Sequence, residues 1–363
     1  MIADRMHGFE ASGIRKVFDL AQKIKAPIDL SIGQPDFDVP EEVKNEAIQA
    51  IKSGFNRYTI TQGIRGLTDK ILEEEKGRGI KCESIMVTSG VAGALTLAFT
   101  VLINPGDEIL VPDPYFVSFK HLIKLCGGKI KYIDTYPDFE LTPERILPNI
   151  SSRSKILIIN SPSNPTGVVC KPQHLTEICE IARKHNLIII SDEIYRKFTY
   201  DVPYQSIGKY YEKTLTCNGF SKTYAMTGWR LGYAIGPAKI IEEMIKLQQY
   251  SFICAPSISQ AAGIKALDID IGGYVKDYNN KRDLVYNGLK DRYKITKADG
   301  AFYFFPQVPW GTDEEFVTEA IKRNLLIIPG SVFSEKNTHF RLSYAASFET
   351  LESGVKILNS LAS

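Results

Sequence analysis

Short apolar runs rich in β-branched residues recur along the chain, and helix-like stretches separate them. Five runs carry this pattern: SIMVT (84–88), EILVP (108–112), KILIIN (155–160), LIIIS (187–191) and TLTCN (214–218). Helices are predicted at 91–103, 172–185 and 237–250. Because parallel strands are buried on both faces and are joined by helical crossovers, the alternation predicts an α/β fold with a mainly parallel central sheet.

The length and the C-terminal pattern predict two domains. A chain of 363 residues exceeds the usual size of one domain, at roughly 150 residues each. The C-terminal third mixes helical stretches with the aromatic runs 300–306 and 339–345, which favours a smaller α+β domain. We predict a large domain over 45–250 and a small domain built from 251–363 together with the N-terminal segment 1–44. A discontinuous small domain requires no linker.

Charge and targeting signals exclude several classes of function. The chain has 44 Lys and Arg against 42 Asp and Glu, so its net charge of +2 gives no field that would attract nucleic acid or an anionic membrane. Residues 1–18 carry charges throughout and contain no secretory apolar run. Apolar runs are shorter than the ~20 residues that span a bilayer. The six cysteines show no metal-site or disulfide spacing, which predicts reduced thiols, no metal and a cytoplasmic location.

Small and polar residues follow four of the predicted strands. In open α/β sheets, ligands bind beyond the carboxyl ends of the strands, so these residues are candidates for a site. The four segments are Ser89-Gly90-Val91-Ala92-Gly93, Ser161-Pro162-Ser163-Asn164-Pro165-Thr166-Gly167, Ser191-Asp192-Glu193-Ile194-Tyr195, and 219–232, which contains Lys222 and Arg230.

Each segment has a functional and a structural interpretation. The helix opened by Gly90 suits a phosphate, although a small-residue turn also lets a helix pack on a sheet. Asn164 offers a rigid amide between two prolines, or simply belongs to a rigid turn. Asp192 is costly to bury without a cation or donor, and could instead cap a helix or pair with a structural arginine. Lys222 and Arg230 are either a desolvated amine beside a phosphate-binding guanidinium or a solvated face.

Nine segments, in order, resemble the signatures of the class I pyridoxal-phosphate-dependent aminotransferases. They are GQPDFDVP (33–40), RYTITQGIRGL (57–67), TSGVAGAL (88–95), PDPYFVSF (112–119), NSPSNPTG (160–167), SDEIY (191–195), GFSKTYAMTGWRLGY (219–233), IPGSVF (328–333) and FRLSYA (340–345). The resemblance covers about residues 28–358 and is to the prokaryotic and archaeal branch of the aspartate aminotransferase family. It implies fold type I, pyridoxal 5′-phosphate as cofactor and a homodimer.

The resemblance implies roles around the cofactor ring. Lys222 would carry the cofactor as a Schiff base and move protons during the reaction. Asp192 would pair with the pyridine nitrogen, and Tyr195 and Asn164 would bind the ring oxygen. Phe116 would stack on the ring, where other members carry tryptophan.

The resemblance also implies groups for the phosphate and for the substrate. The phosphate would be held by Gly90, Val91, Ala92, Ser221, Arg230 and, from the neighbouring subunit, Tyr58. Some members carry a serine where this chain has Gly219, so one phosphate contact differs. Arg341 would bind the substrate α-carboxylate bidentately, assisted by Gly33, Asn164 and Phe116.

The expected function is a ping-pong transamination between an L-amino acid and a 2-oxo acid. The specific expectation is L-aspartate and 2-oxoglutarate giving oxaloacetate and L-glutamate. Aromatic, alanine or broad specificity is the alternative within the class, because no distinctive arginine motif marks a site for a second carboxylate. A pyridoxal-phosphate lyase and a non-catalytic sensor are the alternatives outside the class.

Overall fold

A computed structural model describes residues 1–7 and 26–362. Residues 8–25, which include most of the charged N-terminal stretch, lie outside the described residues. The strands are β1 Ile28–Asp29, β2 Ser84–Ser89, β3 Glu108–Asp113, β4 Lys129–Asp134, β5 Ser154–Asn160, β6 Ile188–Asp192, β7 Thr214–Gly219, β8 Leu231–Gly236, β9 Tyr303–Phe304, β10 Leu325–Leu326, β11 Ile328–Pro329 and β12 Phe340–Ser343. The helices are α1 Glu41–Lys52, α2 Arg65–Gly77, α3 Gly90–Leu102, α4 Val117–Leu125, α5 Pro143–Ile146, α6 Pro172–Lys184, α7 Ala238–Ser251, α8 Ser257–Ala266, α9 Gly272–Leu289, α10 Asp313–Lys322 and α11 Phe348–Leu361.

A seven-stranded sheet forms the centre of the molecule, in the order β2-β8-β7-β6-β5-β3-β4. Strand β8 is antiparallel to both of its neighbours, β2 and β7, and the other pairs are parallel. All five predicted runs form strands of this sheet, which confirms the α/β fold class. Strands β4 and β8 were not predicted.

The central strands are buried on both faces, as their apolar sequences require. In β5, Ile156 and Ile158 belong to the hydrophobic core that includes α3, whereas Leu157 and Ile159 belong to the core that includes α6. Alternate side chains of one strand thus reach opposite layers of helices. Helices α3, α6 and α7 fall where the sequence predicted helices.

The two ends of the chain meet in smaller sheets. Strand β1 pairs in parallel with β10, which joins residues 28–29 to the C-terminal third. Strands β11, β12 and β9 form a second antiparallel sheet. Strands β9 and β12 lie inside the two predicted aromatic runs, and β11 lies in the segment before the second run. Helix α8, which follows residue 250, packs against α1 and α2. The division at residues 44 and 250 stays a prediction. Within the described residues, no helix combines the length and apolar character that a membrane crossing requires.

Candidate active site

A cavity of about 310 Å³ opens where several central strands end. It is lined by Gly33, Val91, Ala92, Leu95, Phe116, Asn160, Asn164, Asp192, Ile194, Tyr195, Ser221, Lys222, Thr227, Arg230, Tyr303 and Arg341. Every predicted site residue except Gly90 and Tyr58 is in this lining. The rule that ligands bind beyond the carboxyl ends of the strands therefore located the cavity.

The start of α3 and Arg230 form a cradle at one end of the cavity. Gly90 has a left-handed backbone (φ 68°) and opens the helix directly after β2. A Cβ at Gly90 would lie 2.7 Å from Nη2 of Arg230, so the guanidinium lies against the helix start. A Cβ at Gly232 would lie 2.7 Å from the nitrogen of Val91. These close approaches leave the first N–H groups of the helix and a guanidinium available to one anion.

Lys222 extends into the cavity near both arginines. Its Nζ donates a hydrogen bond to the carbonyl oxygen of Gly33 at 2.5 Å. Desolvation, reinforced by Arg341 and Arg230, lowers the pKa of Lys222 to about 8, although Asp192 opposes this effect. The amine is therefore far easier to deprotonate than an exposed lysine, as a nucleophile requires. Lys222 lines the cavity and is only partly exposed, so the alternative of a solvated face does not apply to it, whereas Arg230 is exposed.

Asp192 ends β6 with its carboxylate in the cavity, and the side chain is only 3% exposed. Its Oδ1 accepts a hydrogen bond from the N–H of Ile194 at 3.2 Å. Burial raises the pKa of Asp192 to about 7, and the neighbouring Glu193 adds to this increase. The carboxylate can therefore either hold or give up a proton near neutral pH.

Two hydrogen bonds in the cavity wall join a pair of tyrosines and a pair of asparagines. The hydroxyls of Tyr195 and Tyr303 are 2.9 Å apart and hydrogen-bonded. Burial, together with Tyr303, raises the pKa of Tyr195 well above its usual value. The backbone N–H of Asn164 donates to Oδ1 of Asn160 at 2.9 Å, which fixes the proline-rich loop against β5.

Arg341 is almost fully buried, with 1% exposure, although it carries a charge. Its guanidinium lies between the rings of Tyr303 and Phe333, at 4.7 and 4.6 Å from their centroids. Nη1 donates to Oδ1 of Asn164 at 3.1 Å, and Nη2 donates to the carbonyl of Ser31 at 2.7 Å. Its buried Nε has no hydrogen-bond partner among the described residues. A buried guanidinium with spare donors and no carboxylate of its own is suited to an anionic ligand.

Two predicted residues lie outside the lining, and five lining residues were not predicted. Gly90 directly precedes the lining residue Val91, whereas Tyr58 is on the surface and 79% exposed. The residues missed are Leu95, Asn160, Ile194, Thr227 and Tyr303. Asn160 ends a predicted strand, so the same rule could have found it. Tyr303 lies in the run GAFYFFP, where every neighbour is also buried and nothing marks the ring that reaches the cavity.

The residue at position 219 explains one departure from the family pattern. A Cβ at Gly219 would lie 2.9 Å from the carbonyl oxygen of Leu231, so a serine here would require the backbone to move. Ser221 lines the cavity and is the nearby hydroxyl that the sequence offered instead.

The donor set fits pyridoxal phosphate. The cradle at Gly90 and Arg230 can accept a phosphate, Lys222 can form the covalent link, and Asp192 is a buried carboxylate without a described arginine partner that can face a ring nitrogen. The cavity is of suitable size for a cofactor and a small substrate. Its polar lining includes Asn160, Asn164, Asp192, Tyr195, Tyr303 and Arg341.

Comparison with known proteins agrees with this geometry. The sequence profile of the aminotransferase class I and II family matches residues 25–358. The chain is 38% identical to an aspartate aminotransferase of Pyrococcus abyssi, covering 97% of this chain and 95% of that one. It is 36% identical to aromatic-amino-acid aminotransferase 2 of Thermococcus litoralis, with the same coverage. The structure of aspartate aminotransferase from Thermus thermophilus with maleate superposes with a TM-score of 0.95 at 32% identity, covering 99% of each chain. The chain therefore belongs to the class I and II aminotransferases and is a pyridoxal-phosphate-dependent transaminase of fold type I.

Proposed function

We propose that Lys222 carries the cofactor and that the residues around it divide the work of transamination. The proposal depends above all on one observation: a lysine with a lowered pKa, a buried carboxylate and a buried arginine face one cavity. The start of α3, with Gly90, Val91 and Ala92, binds the phosphate together with Ser221 and Arg230. Bound pyridoxal phosphate supplies an electron sink for the negative charge that develops at the substrate Cα.

The ring of the cofactor is oriented by side chains from three strand ends. Asp192 would hold the pyridine nitrogen and keep it protonated, Tyr195 and Asn164 would hold the ring oxygen, and Phe116 would pack on the ring. With the cofactor held there, the amine of Lys222 would be the group that removes the proton from the substrate Cα. A lysine whose pKa is about 8 suits this task, because it is partly unprotonated near neutral pH.

Arg341 binds the α-carboxylate of both substrates in this proposal. Its spare donors and its position between two aromatic rings give a rigid, bidentate site, and Asn164 and Gly33 lie beside it. Fixing the carboxylate determines which bond at Cα is aligned with the electron sink. The same site serves the amino acid in one half-reaction and the 2-oxo acid in the other.

We propose L-aspartate as amino donor and 2-oxoglutarate as acceptor, giving oxaloacetate and L-glutamate in amino-acid biosynthesis. The support is similarity to the Pyrococcus aspartate aminotransferase and to the Thermus enzyme, which was solved with maleate, a dicarboxylate. The three cations that line the cavity, Lys222, Arg230 and Arg341, are all assigned above. The second carboxylate therefore requires a group from outside the described lining, and the partner subunit is the source we favour.

Aromatic amino acids are the second candidate. The cavity wall includes Leu95, Ile194, Phe116 and Tyr303, which suit an apolar side chain, and the Thermococcus relative is an aromatic-amino-acid aminotransferase. Pocket changes of this kind discriminate apolar side chains by only about 1–3 kcal/mol.

A panel of amino acids tests the substrate assignment. Purified holoenzyme is mixed with each amino acid in turn, and loss of the visible cofactor band is followed together with formation of the 2-oxo acid. Aspartate and glutamate should react fastest. Reaction of phenylalanine or tyrosine, with neither acidic amino acid reacting, would replace the first candidate by the second. Release of ammonia with regeneration of the starting spectrum would instead indicate a lyase.

A homodimer is part of the proposal because one apolar face is left exposed. This face consists of Ile48, Ile51, Phe55, Tyr58, Ile60, Tyr250, Phe252 and Ile253. The loop that carries Tyr58 and Ile60 is joined to α7, since Nε2 of Gln248 donates to the carbonyl of Thr61 at 2.7 Å. Large contiguous apolar patches mark interfaces. We propose that a second copy covers this face and that Tyr58 reaches the partner's phosphate site.

Mixed dimers test whether the site is composite. Chains carrying Lys222→Ala are combined with chains carrying Tyr58→Ala, each inactive or impaired as a homodimer. If Tyr58 acts on the partner, one site of each hybrid contains both native residues, and activity with normal cofactor affinity returns to that site. If Tyr58 acts within its own chain, the hybrid regains neither.

A cytoplasmic location completes the proposal. All six cysteines lie among the described residues as free thiols, as expected in a reducing compartment. Cell fractionation, followed by a count of free thiols in the recovered protein, tests this location. Recovery of a secreted protein that contains a disulfide would contradict it.

A further inference from the structure

A second group of charged side chains lies behind the segment that carries Asp192 and Tyr195. Those two residues line the cavity, whereas Glu193 and Arg196 do not. Glu193 is fully buried and Arg196 is 6% exposed, so both charges are held inside the protein away from the proposed cofactor. The segment 192–196 therefore presents polar side chains both toward the cavity and away from it. The mechanism above uses only the side chains that face the cavity.

The side away from the cavity contacts the C-terminal end of α2 and β8 through what we call the charge cluster: Glu74, Glu75, Arg78, Glu193, Arg196 and Tyr233, of which Glu74 and Arg78 are partly exposed. Nη1 of Arg196 donates to Oε1 of Glu75, and Nη2 donates to Oε1 of Glu74 at 2.9 Å. Glu75 also accepts hydrogen bonds from the hydroxyl of Tyr233 at 2.8 Å and from Nη1 of Arg78 at 2.8 Å. Glu75 is thus a buried carboxylate shared by three donors.

Glu193 joins the cluster from the position directly after Asp192. Its Oε1 accepts hydrogen bonds from the hydroxyls of Ser191, at 3.0 Å, and Ser206, and its Oε2 lies 4.0 Å from Nη2 of Arg78. Burial raises the pKa of Glu193, and Arg78 opposes that increase. The electrostatic state of Asp192 is coupled to the cluster, because Glu193 adds to the increase in the pKa of Asp192.

The backbone connects the cluster to the cavity. The N–H of Arg196 donates to the carbonyl of Glu193 at 2.9 Å, and the N–H of Phe198 donates to the carbonyl of Tyr195 at 2.8 Å. These turns place Tyr195 between two anchored residues and Asp192 directly before the first. Buried ion pairs often contribute little net stability compared with apolar residues of similar volume. Here the contacts of Arg196 with Glu74 and Glu75 tie the segment to α2.

We infer that Glu75 and Arg196 are positioning residues for transamination, which hold the segment so that Asp192 and Tyr195 meet the cofactor ring. This inference rests on the roles proposed above for Asp192 and Tyr195. Neither Glu75 nor Arg196 lines the cavity, so they act through the segment and not by contact with the reacting atoms. A small displacement of a catalytic group can reduce the rate by up to about 100-fold.

Conservative variants test this inference. Glu75→Gln removes the charge that Arg196 and Arg78 share, Arg196→Lys removes the planar fork that bonds both Glu74 and Glu75, and Tyr233→Phe removes one hydrogen bond. For Glu75→Gln and Arg196→Lys we expect kcat to decrease about 10-fold or more and the visible absorbance of the bound cofactor to shift. KM should change by less than about twofold, since the site at Arg341 is untouched. Tyr233→Phe should change kcat and the spectrum in the same direction by a smaller amount.

Matched controls carry the same substitutions at a buried carboxylate and a buried arginine elsewhere, each paired with an exposed partner. Glu108→Gln disrupts a buried carboxylate paired with Arg153 at the start of β3, and Arg282→Lys disrupts a buried arginine paired with Asp201. None of these four residues lines the cavity. The controls should lower the melting temperature and leave kcat and the cofactor spectrum unchanged.

The inference is wrong if the cluster variants lower only the melting temperature, as the controls do. If Glu75→Gln does not fold, Arg196→Lys and Tyr233→Phe decide by the same readouts. Asp192→Asn, measured in parallel, distinguishes failure of the proposed site from failure of the positioning role. A normal spectrum and kcat in Asp192→Asn would overturn the proposed site, whereas an altered Asp192→Asn beside normal cluster variants would overturn the positioning role alone.

Discussion

Replacing Arg341 by lysine gives the sharpest test of the substrate site. The guanidinium uses Nη1 for Asn164 and Nη2 for Ser31, at 3.1 and 2.7 Å, and still has donors for a ligand. A lysine ammonium is a point charge that cannot keep both contacts and also bind a carboxylate bidentately. Losing one charge-assisted hydrogen bond costs about 1.5–3 kcal/mol. At about 1.4 kcal/mol for each factor of ten, kcat/KM should decrease about 10- to 150-fold.

Steady-state kinetics of both half-reactions measures this effect in Arg341→Lys. Because we propose that Arg341 binds the α-carboxylate of both the amino acid and the 2-oxo acid, kcat/KM should decrease by a similar factor for both. Cofactor affinity, measured by titration with pyridoxal phosphate, should stay within about twofold of the wild-type value. A kcat/KM within twofold of wild type, or a decrease for one substrate alone, would refute the assignment.

Three further variants test the cavity wall and the cofactor cradle. Asp192→Asn should stabilise the cofactor-free protein increasingly as pH rises. The pKa of Asp192 is about 7 in the folded protein and about 3.9 in the unfolded chain, so the wild type loses stability as pH rises through this range. The stability advantage of the variant in urea unfolding should therefore grow by about 2–3 kcal/mol between pH 5 and pH 8. An advantage independent of pH would contradict this. Tyr303→Phe removes the hydroxyl that is hydrogen-bonded to Tyr195, and should lower kcat/KM about 2- to 10-fold and change the cofactor spectrum. An unchanged spectrum and rate would show that this hydrogen bond does not contribute to the reaction. Gly232→Ala places a Cβ 2.6 Å from the carbonyl carbon of Gly90 and should weaken cofactor binding at least about tenfold in a titration, unlike Gly273→Ala, whose Cβ meets no atom within 4 Å. Equal affinities in the two glycine variants would refute the cradle.

The sequence predicted the centre of the sheet because those strands have no polar face. The isoleucine runs of β5 and β6 are buried on both sides, and a run of that kind fits a parallel sheet covered by helices. Asn164, Asp192 and Lys222 followed from their positions at strand ends. In contrast, β4 has the alternating sequence KIKYID with only Ile133 buried, as an edge strand does, and β8 is interrupted by glycines that its neighbours require.

The remaining parts of the site depend on long-range packing. Arg341 was expected from the family resemblance, but its position between Tyr303 and Phe333 joins segments far apart in the sequence. Tyr303 reaches the cavity from a strand in which all side chains are buried, so periodicity cannot single it out. Tyr58 has a role only in the proposed dimer, and a residue that acts across an interface leaves no signal in the pattern of its own chain.

Identifying the lysine that carries the cofactor tests the central claim most directly. Reduction of the holoenzyme with sodium borohydride fixes the cofactor to that lysine, and peptide mass spectrometry then locates the modified residue. We predict modification of Lys222, abolished by addition of the preferred amino donor before reduction. Modification of another lysine, with Lys222 unmodified in active enzyme, would contradict the account.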